Sequence, residues 1–170
     1  VILSISLAQL VTGQEPTADQ EFQRLGEQYI DQFAAFSPVR ATTLGDHRFD
    51  DQLDQISEQS RAKRLEWLRG LVERLDRIDA NKLSRQNQVD YSLLQHELEA
   101  QLWKLTELRE WRWNPLIYTS LAGDSIYGLM AREFAPVGRR LENVAKRLEQ
   151  LPRFLEQVRD TLKAERVPPV

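Results

Sequence analysis

The 170-residue sequence contains no cysteine, two histidines, one methionine, seven glycines and seven prolines. Each shortage excludes a class of protein. Without cysteine there is no disulfide framework, no thiolate nucleophile and no Cys-based zinc or iron–sulfur centre. Two histidines cannot make a three-His metal site within the chain. So few Gly and Pro leave little material for the closely spaced turns of an all-β fold. No apolar run reaches the roughly 20 residues that cross a bilayer as a helix. A basic excess is missing too, since 23 Lys and Arg face 26 Asp and Glu for a net charge of −3. The electrostatic footprint of a nucleic-acid-binding protein is therefore absent.

What is present is globular in composition, with 41% hydrophobic and 29% charged residues, too apolar for a disordered chain. Leu, Glu, Gln and Arg dominate and favour helix. The length suits one domain or a piece of a larger one. Charge is unevenly spread, with 10 acidic and 3 basic groups in residues 15–60 against 7 and 10 in residues 111–170. An imbalance of this size reads as solvated helix faces.

The uncharged, largely apolar run from Val1 to Gln14 is too short to span a membrane but matches the apolar core of a secretory signal peptide. Small or tolerated residues at Val11-Thr12-Gly13 offer a cleavage point before Gln14. The expectation is a truncated signal peptide over 1–13 and a helical segment over 14–170 that is the N-terminal part of a larger domain. The competing reading of the first stretch is a packed helix or strand. Arg166-Val167-Pro168-Pro169-Val170 reads as the truncation point of a longer protein.

Between these ends the pattern is helical. Thr17-Ala18-Asp19-Gln20 is a capping box, followed by Phe22, Leu25, Tyr29, Phe33 and Phe36 at helical spacing. Ser37-Pro38 ends that helix, and residues 40–56 read as a short helical turn and a loop. Ser57 caps a helix with the stripe Leu65, Leu68, Val72, Leu75 and Ile78. Ser84 caps a longer one with Val89, Leu94, Leu98, Leu102, Leu105 and Leu108, ended by Trp111-Arg112-Trp113-Asn114-Pro115. A loop with a short helix near 125–132 follows, because Gly123 and Gly128 interrupt the pattern. Val137, Leu141, Val144, Leu148, Leu151, Leu155, Val158 and Leu162 alternate by 4 and 3. That phase survives Pro152 and predicts one helix kinked there. The fold class is thus all-α, an amphipathic helical bundle with principal helices near 18–36, 58–78, 84–110 and 136–163, each of these stripes being expected to face the core. A coiled-coil dimer would fit the last seam as well; matching stripes on the other helices favour a bundle within the chain.

No constellation commits to chemistry. Asp46, His47, Asp50 and Asp51 lie close in sequence, but adjacent loop residues seldom converge on a metal, so the loop reads as locally hydrogen-bonded. His96-Glu97 begins like a zincin motif, yet the second His four residues on is Ala100. Trp103, Trp111, Trp113 and Tyr118 are accompanied by Arg109 and Arg112 and interrupted by Glu107 and Glu110, which favours core packing over base stacking. Arg132 and Glu133 read as an ion pair at a helix junction. Nucleophile elbows and phosphate-binding glycine loops are absent. Catalytic, cofactor-binding and metal residues are therefore assigned to none, and substrate-binding residues stay unknown.

FSPVRATTLGDHRFDDQLDQIS, LSRQNQVDYSLL, REWRWNPLIY and LMAREFAPVGRRLENVAKRLEQLPRFLEQVR resemble, in order and spacing, the N-terminal part of the bacterial domain-of-unknown-function family 885, from about Glu21 to Pro169. The resemblance implies a mostly helical, exported protein of several hundred residues, similar to zincin metallopeptidases, with a His-Glu motif and Pro-Gly-His in the C-terminal half. No such motif occurs in these residues, so no metal ligand carries over. The implied role is the helical scaffold of an exported zinc-dependent, peptidase-like hydrolase whose catalytic motif lies downstream, the segment itself being inactive and without cofactor. Its partners would be the missing C-terminal part of the same chain and a peptide-like substrate, with no nucleic acid and no membrane span. The alternative is a non-catalytic periplasmic interaction module. Either way the location is outside the cytoplasm, periplasmic or secreted.

Overall fold

A computed structural model describes residues 15–167, which form six α-helices and no strand among the described residues. The signal-peptide expectation for residues 1–13 lies outside them. Helix α1 (Ala18–Phe36) starts on the expected box, in which Gln20 N donates to Thr17 Oγ1 (3.3 Å) and Thr17 N to Gln20 Oε1 (3.0 Å). Pro38 opens α2 (Pro38–Leu44) at the first helical position, where its missing N–H has no intrahelical partner to lose. Gly45 closes α2 at φ 95°, a left-handed cap that a side chain would strain. Ser57 and Ser84 cap α3 (Glu58–Leu75) and α4 (Arg85–Trp103). After α4 the chain makes a π-turn at Lys104–Leu108, and Arg109 then reverses it at φ 50°. The helix expected to reach residue 110 thus ends earlier as α-helix.

Two helices differ more. Residues 116–130, read as loop and short helix, form the continuous α5 (Leu116–Met130). Its glycines are tolerated because burial against α2 and α6 outweighs their low propensity. Gly128 faces α2, and a Cβ there would touch Thr42 Cγ2 at 3.7 Å. Helix α6 (Val137–Thr161) runs as one helix through Pro152, as expected. Pro152 and Leu148 both lie on its exposed side, so the Leu148 carbonyl that loses its i+4 donor faces water.

The core has two parts. Phe22 and Leu25 of α1, Leu68, Leu71 and Leu75 of α3, and Leu98 of α4 form one, extended by Ile78 and Leu83. Val39, Leu53, Tyr118 and Phe154 form the other, between α2, the 46–56 loop, α5 and α6. The stripes of α1 and α3 face inward as expected. Val89 does not; it is exposed because it lies about 180° around α4 from the buried Leu98.

The seam of α6 is the main correction. Val137, Leu141, Leu148 and Leu155 are 55%, 50%, 48% and 57% exposed, while Val144, Leu151, Val158 and Leu162 are half-buried. The row turned inward is Arg140, Arg147, Phe154 and Thr161, about 100° around the helix from Leu148. Polar bonds select that row. Arg140 donates through Nε to Ala135 O (3.0 Å) and through Nη1 to Leu129 O (3.4 Å) and Met130 O (3.2 Å), satisfying carbonyls at the C-terminal end of α5. Gln150 and Gln157 accept from Leu53 N (3.1 Å) and Ile56 N (3.2 Å), and Gln150 Nε2 donates to Asp51 O (2.8 Å). The 46–56 loop therefore finds its backbone partners on α6.

Asp19 ties the starts of α1 and α4 together, accepting from Ser84 N (2.9 Å) and Asn87 Nδ2 (2.7 Å). The Ser84 N–H above all, then Asn87, holds its carboxyl below the usual value. A carboxyl depressed in the folded state contributes stability above its unfolded pKa, and that contribution is lost as pH falls through the folded value. Asp19→Asn should therefore lower the urea midpoint at neutral pH, with the difference from wild type vanishing in strong acid. A constant difference across the titration would show that the carboxylate charge is irrelevant.

Candidate functional site

Two polar places stand out once the helices are assembled. The first is buried. Arg147 is 0% exposed and donates to Ser125 O and Thr42 Oγ1, both at 2.7 Å. The Thr42 hydroxyl donates in turn to Asp50 Oδ1 (2.7 Å), and Asp50 Oδ2 lies 3.0 Å from His47 Nδ1. The His47 ring stacks on Phe134 with centroids 3.7 Å apart. Tertiary structure thus joins the loop's His and Asp to an arginine a hundred positions away, which adjacency in sequence could not show. A carboxylate orienting an imidazole is also the geometry of a general-base dyad. Here the nearest hydroxyl, Thr42, is already engaged on both sides, so the arrangement works as a clasp between α2, the loop and α6.

The other loop acids also bond locally. Asp46 accepts from Arg48 N (3.1 Å) and from its guanidinium, which also reaches Asp31. Asp51 pairs with Lys146 (3.3 Å). Asp54 accepts from Val39 N (3.0 Å); burial pushes its carboxyl up, opposed by that N–H and by the charges of Arg64 and Arg147. His96 is exposed on α4. Arg132 donates to Thr43 O (3.0 Å) and makes no ion pair with Glu133 among the described residues, correcting the expected junction pair; the α2 carbonyl lies within its reach. Among the described residues, no three His, Asp or Glu are grouped to hold a metal ion.

The second place is open. Around Trp111, packed core was expected; Tyr118 is buried but Trp103 is exposed, and Trp111 and Trp113 are half-buried. Trp103, the last residue of α4, lies about 140° around the helix from the buried Leu98 and so faces away from the first core. Trp111 is pinned by its Nε1 bond to Leu105 O (3.2 Å) and by Tyr118 Oη donating to Trp111 O (2.6 Å). Burial pushes the Tyr118 phenol up to about 12, with Arg61 opposing. The Arg61 guanidinium sits 4.1 Å from the Trp111 ring centre and bonds Ile56 O. This stacked pair lines two neighbouring cavities. One, of about 690 Å³, opens between α3 and the end of α6 and carries Arg61, Arg112, Lys163 and Arg166 on its walls. The other, of about 230 Å³, includes Asp54, Arg64 and Tyr118. Sequence reasoning noted Arg112 beside the tryptophans but missed Arg61, which reaches the indole from another helix. The overlooked signal is that Arg61 and Arg64 continue the inward face of α3, four residues before Leu65 and Leu68, where a charge needs a partner.

Comparison with known proteins follows the same lines. A family model described as "Bacterial protein of unknown function (DUF885)" matches residues 38–170, beginning at the first residue of α2. A solved structure of "a putative lipoprotein of unknown function from Shewanella oneidensis" is similar at 27% identity and a TM-score of 0.77 over 84% of this chain. This chain spans 26% of that one. No curated protein matches it significantly. With a family match over more than half its length and a shared fold, the chain belongs to the DUF885 family of bacterial proteins.

Proposed function

We propose that these residues are the N-terminal helical scaffold of an exported, zinc-dependent, peptidase-like DUF885 hydrolase, and that α6 packs its open face against a downstream part holding the catalytic groups. The observation that carries the scaffold reading is the row Val137, Leu141, Leu148 and Leu155, exposed on a continuous helix whose other face is committed to α5 and the loop. A regular apolar row of this kind marks a contact surface or an aggregation liability. The solved relative supports it, because about three quarters of that chain lies beyond the part that this one spans. Its description as a lipoprotein and the apolar run before Gln14 support an exported location, periplasmic or secreted.

Zinc would polarise a scissile carbonyl and activate water. The residues described here do not fit it: His47 Nδ1 is committed to Asp50, His96 stands alone on the surface, and no third ligand is near either. No step of hydrolysis is therefore assigned to them.

The test compares the protein at the length its gene encodes with residues 14–170 alone. The longer protein should hydrolyse peptides and lose that activity to a chelator, whereas 14–170 should do neither and take up no stoichiometric zinc by calorimetry. The shorter piece should also bind hydrophobic dye or self-associate. Replacing Leu141, Leu148 and Leu155 by Asp should suppress either behaviour and make the longer protein protease-sensitive. Leu121 and Ile126 of α5 are half-buried and do not belong to this open row. Tight zinc binding by 14–170, or a gene product of full length without hydrolysis, defeats the enzymatic reading. A monodisperse, dye-silent 14–170 with a sharp melt makes it a complete domain and favours the interaction module.

A further inference from the structure

We propose that the 690 Å³ cavity between α3, the Trp111 segment and the C-terminal end of α6 binds a small organic anion, an apolar body bearing one carboxylate. This is independent of the hydrolase reading. The size falls within the usual range of ligand cavities, about 300–1,000 Å³. Its charge is unbalanced, since Arg61, Arg112, Lys163 and Arg166 face only Glu58 and Asp160. The ion pairs among the described residues are His47–Asp50, Arg48–Asp31, Arg48–Asp46, Lys82–Asp79 and Lys146–Asp51. None of the four cavity cations takes part in one.

Two of those cations are held in place. Arg61 lies against the Trp111 ring and is anchored through one nitrogen to Ile56 O, which leaves the rest of its donor fork uncommitted. Arg112 lies 5.6 Å from the same ring, and its buried Nε has no hydrogen-bond partner among the described residues. Such an orphan donor costs free energy; enclosed as it is, it meets an acceptor only if the cavity wall shifts on binding. Burial holds the Arg61 guanidinium below its ordinary value, with Tyr118 and Glu58 opposing; an anion alongside would relieve that penalty. Arg forks suit a carboxylate's two oxygens.

The organic body follows from the floor. Leu65, Leu105 and the Trp111 indole form an apolar surface between the charges. An inorganic ion would leave that surface wet, whereas a carboxylate with an aliphatic or aromatic tail would cover it. Of the uncharged polar groups on the wall, Ser57 caps α3 and the Gln157 carbonyl oxygen accepts from Ile56 N, while the Gln157 amide N–H and the Thr161 hydroxyl make no bond among the described residues. The charge of the head group is met by the four cations, with the Gln157 amide and the Thr161 hydroxyl as further donors.

The experiment is calorimetry on the protein at its encoded length, titrated with phenylacetate, phenylacetamide and inorganic phosphate. Phenylacetate should bind one-to-one, with the amide and phosphate each at least about tenfold weaker because each lacks one half of the recognition. Added salt should weaken the carboxylate. Arg112→Gln should weaken phenylacetate about tenfold, as should Arg166→Gln, whose exposed side chain leaves folding unaffected. Equal binding of acid and amide would remove the charge argument, and equal binding of phosphate would remove the apolar one. Silence of phenylacetate up to about 10 mM, or variants that bind it unchanged, would overturn the site altogether.

Discussion

Arg147→Ala should destabilise the chain by about 3–5 kcal/mol in urea denaturation. The guanidinium is enclosed completely and serves Ser125 O, Thr42 Oγ1 and, at 3.5 Å, Pro38 O. Truncation opens a void, strips a donor from two buried acceptors and removes the positive charge facing Asp50 and Asp54. Burial already holds the Arg147 guanidinium below its ordinary value, opposed by Asp50, Asp54 and Asp51 in that order. Arg147→Met keeps most of the stem volume and should fall between wild type and Ala. The pH dependence checks the cause. Asp54 is raised by burial and lowered in part by Arg147, so the substitution should raise it further. A carboxyl raised in the folded state binds its proton more tightly there, so stability is highest below the unfolded pKa and falls as pH rises through the folded one. The deficit of Arg147→Ala should therefore be largest at neutral pH and shrink on acidification. Asp19 and Asp46, both depressed, titrate alike in the two proteins and cancel. A deficit independent of pH would reduce Arg147 to a volume filler.

Leu98→Ala should cost about 2–5 kcal/mol, whereas Leu148→Asp should change the stability of residues 14–170 by less than about 1 kcal/mol. Both are leucines in the middle of regular helical stripes. Leu98 is 0% exposed, closed in by α1 and α3, while half the surface of Leu148 faces away from every described element. Urea midpoints for the two variants measure the contrast directly. A severe loss from Leu148→Asp would mean that the α6 row packs within this chain and would undo the scaffold proposal.

That contrast shows how far periodicity reaches. Spacing places a leucine on a helix face and leaves open which face another helix will cover. On α1 and α3 only one face is apolar, so the two questions have one answer. On α6 the outcome turned on arginines and glutamines, which a hydropathy pattern counts as outward. They lie inward because their partners are main-chain groups of α5 and the 46–56 loop, and such partners leave no mark in the pattern. Helix α5 was missed for a related reason: Gly123 and Gly128 lower local propensity, and only contact with α2 and α6 restores the balance.

Local chemistry within about a turn was readable from the residues alone. The Thr17 box, the caps at Ser57 and Ser84, the stop at Ser37-Pro38, the helix through Pro152 and the all-α class each depend on neighbours a few positions apart. The two polar places were not readable. Arg147 meets Thr42, and Arg61 meets Trp111, only after separate helices are packed. Sequence therefore determined the fold class and the helix ends marked by local caps, though not α5 or the end of α4. Tertiary structure decided which face of α6 is buried, which cations stay unpaired and where a ligand would fit, because those depend on distances between segments that no local interaction sets.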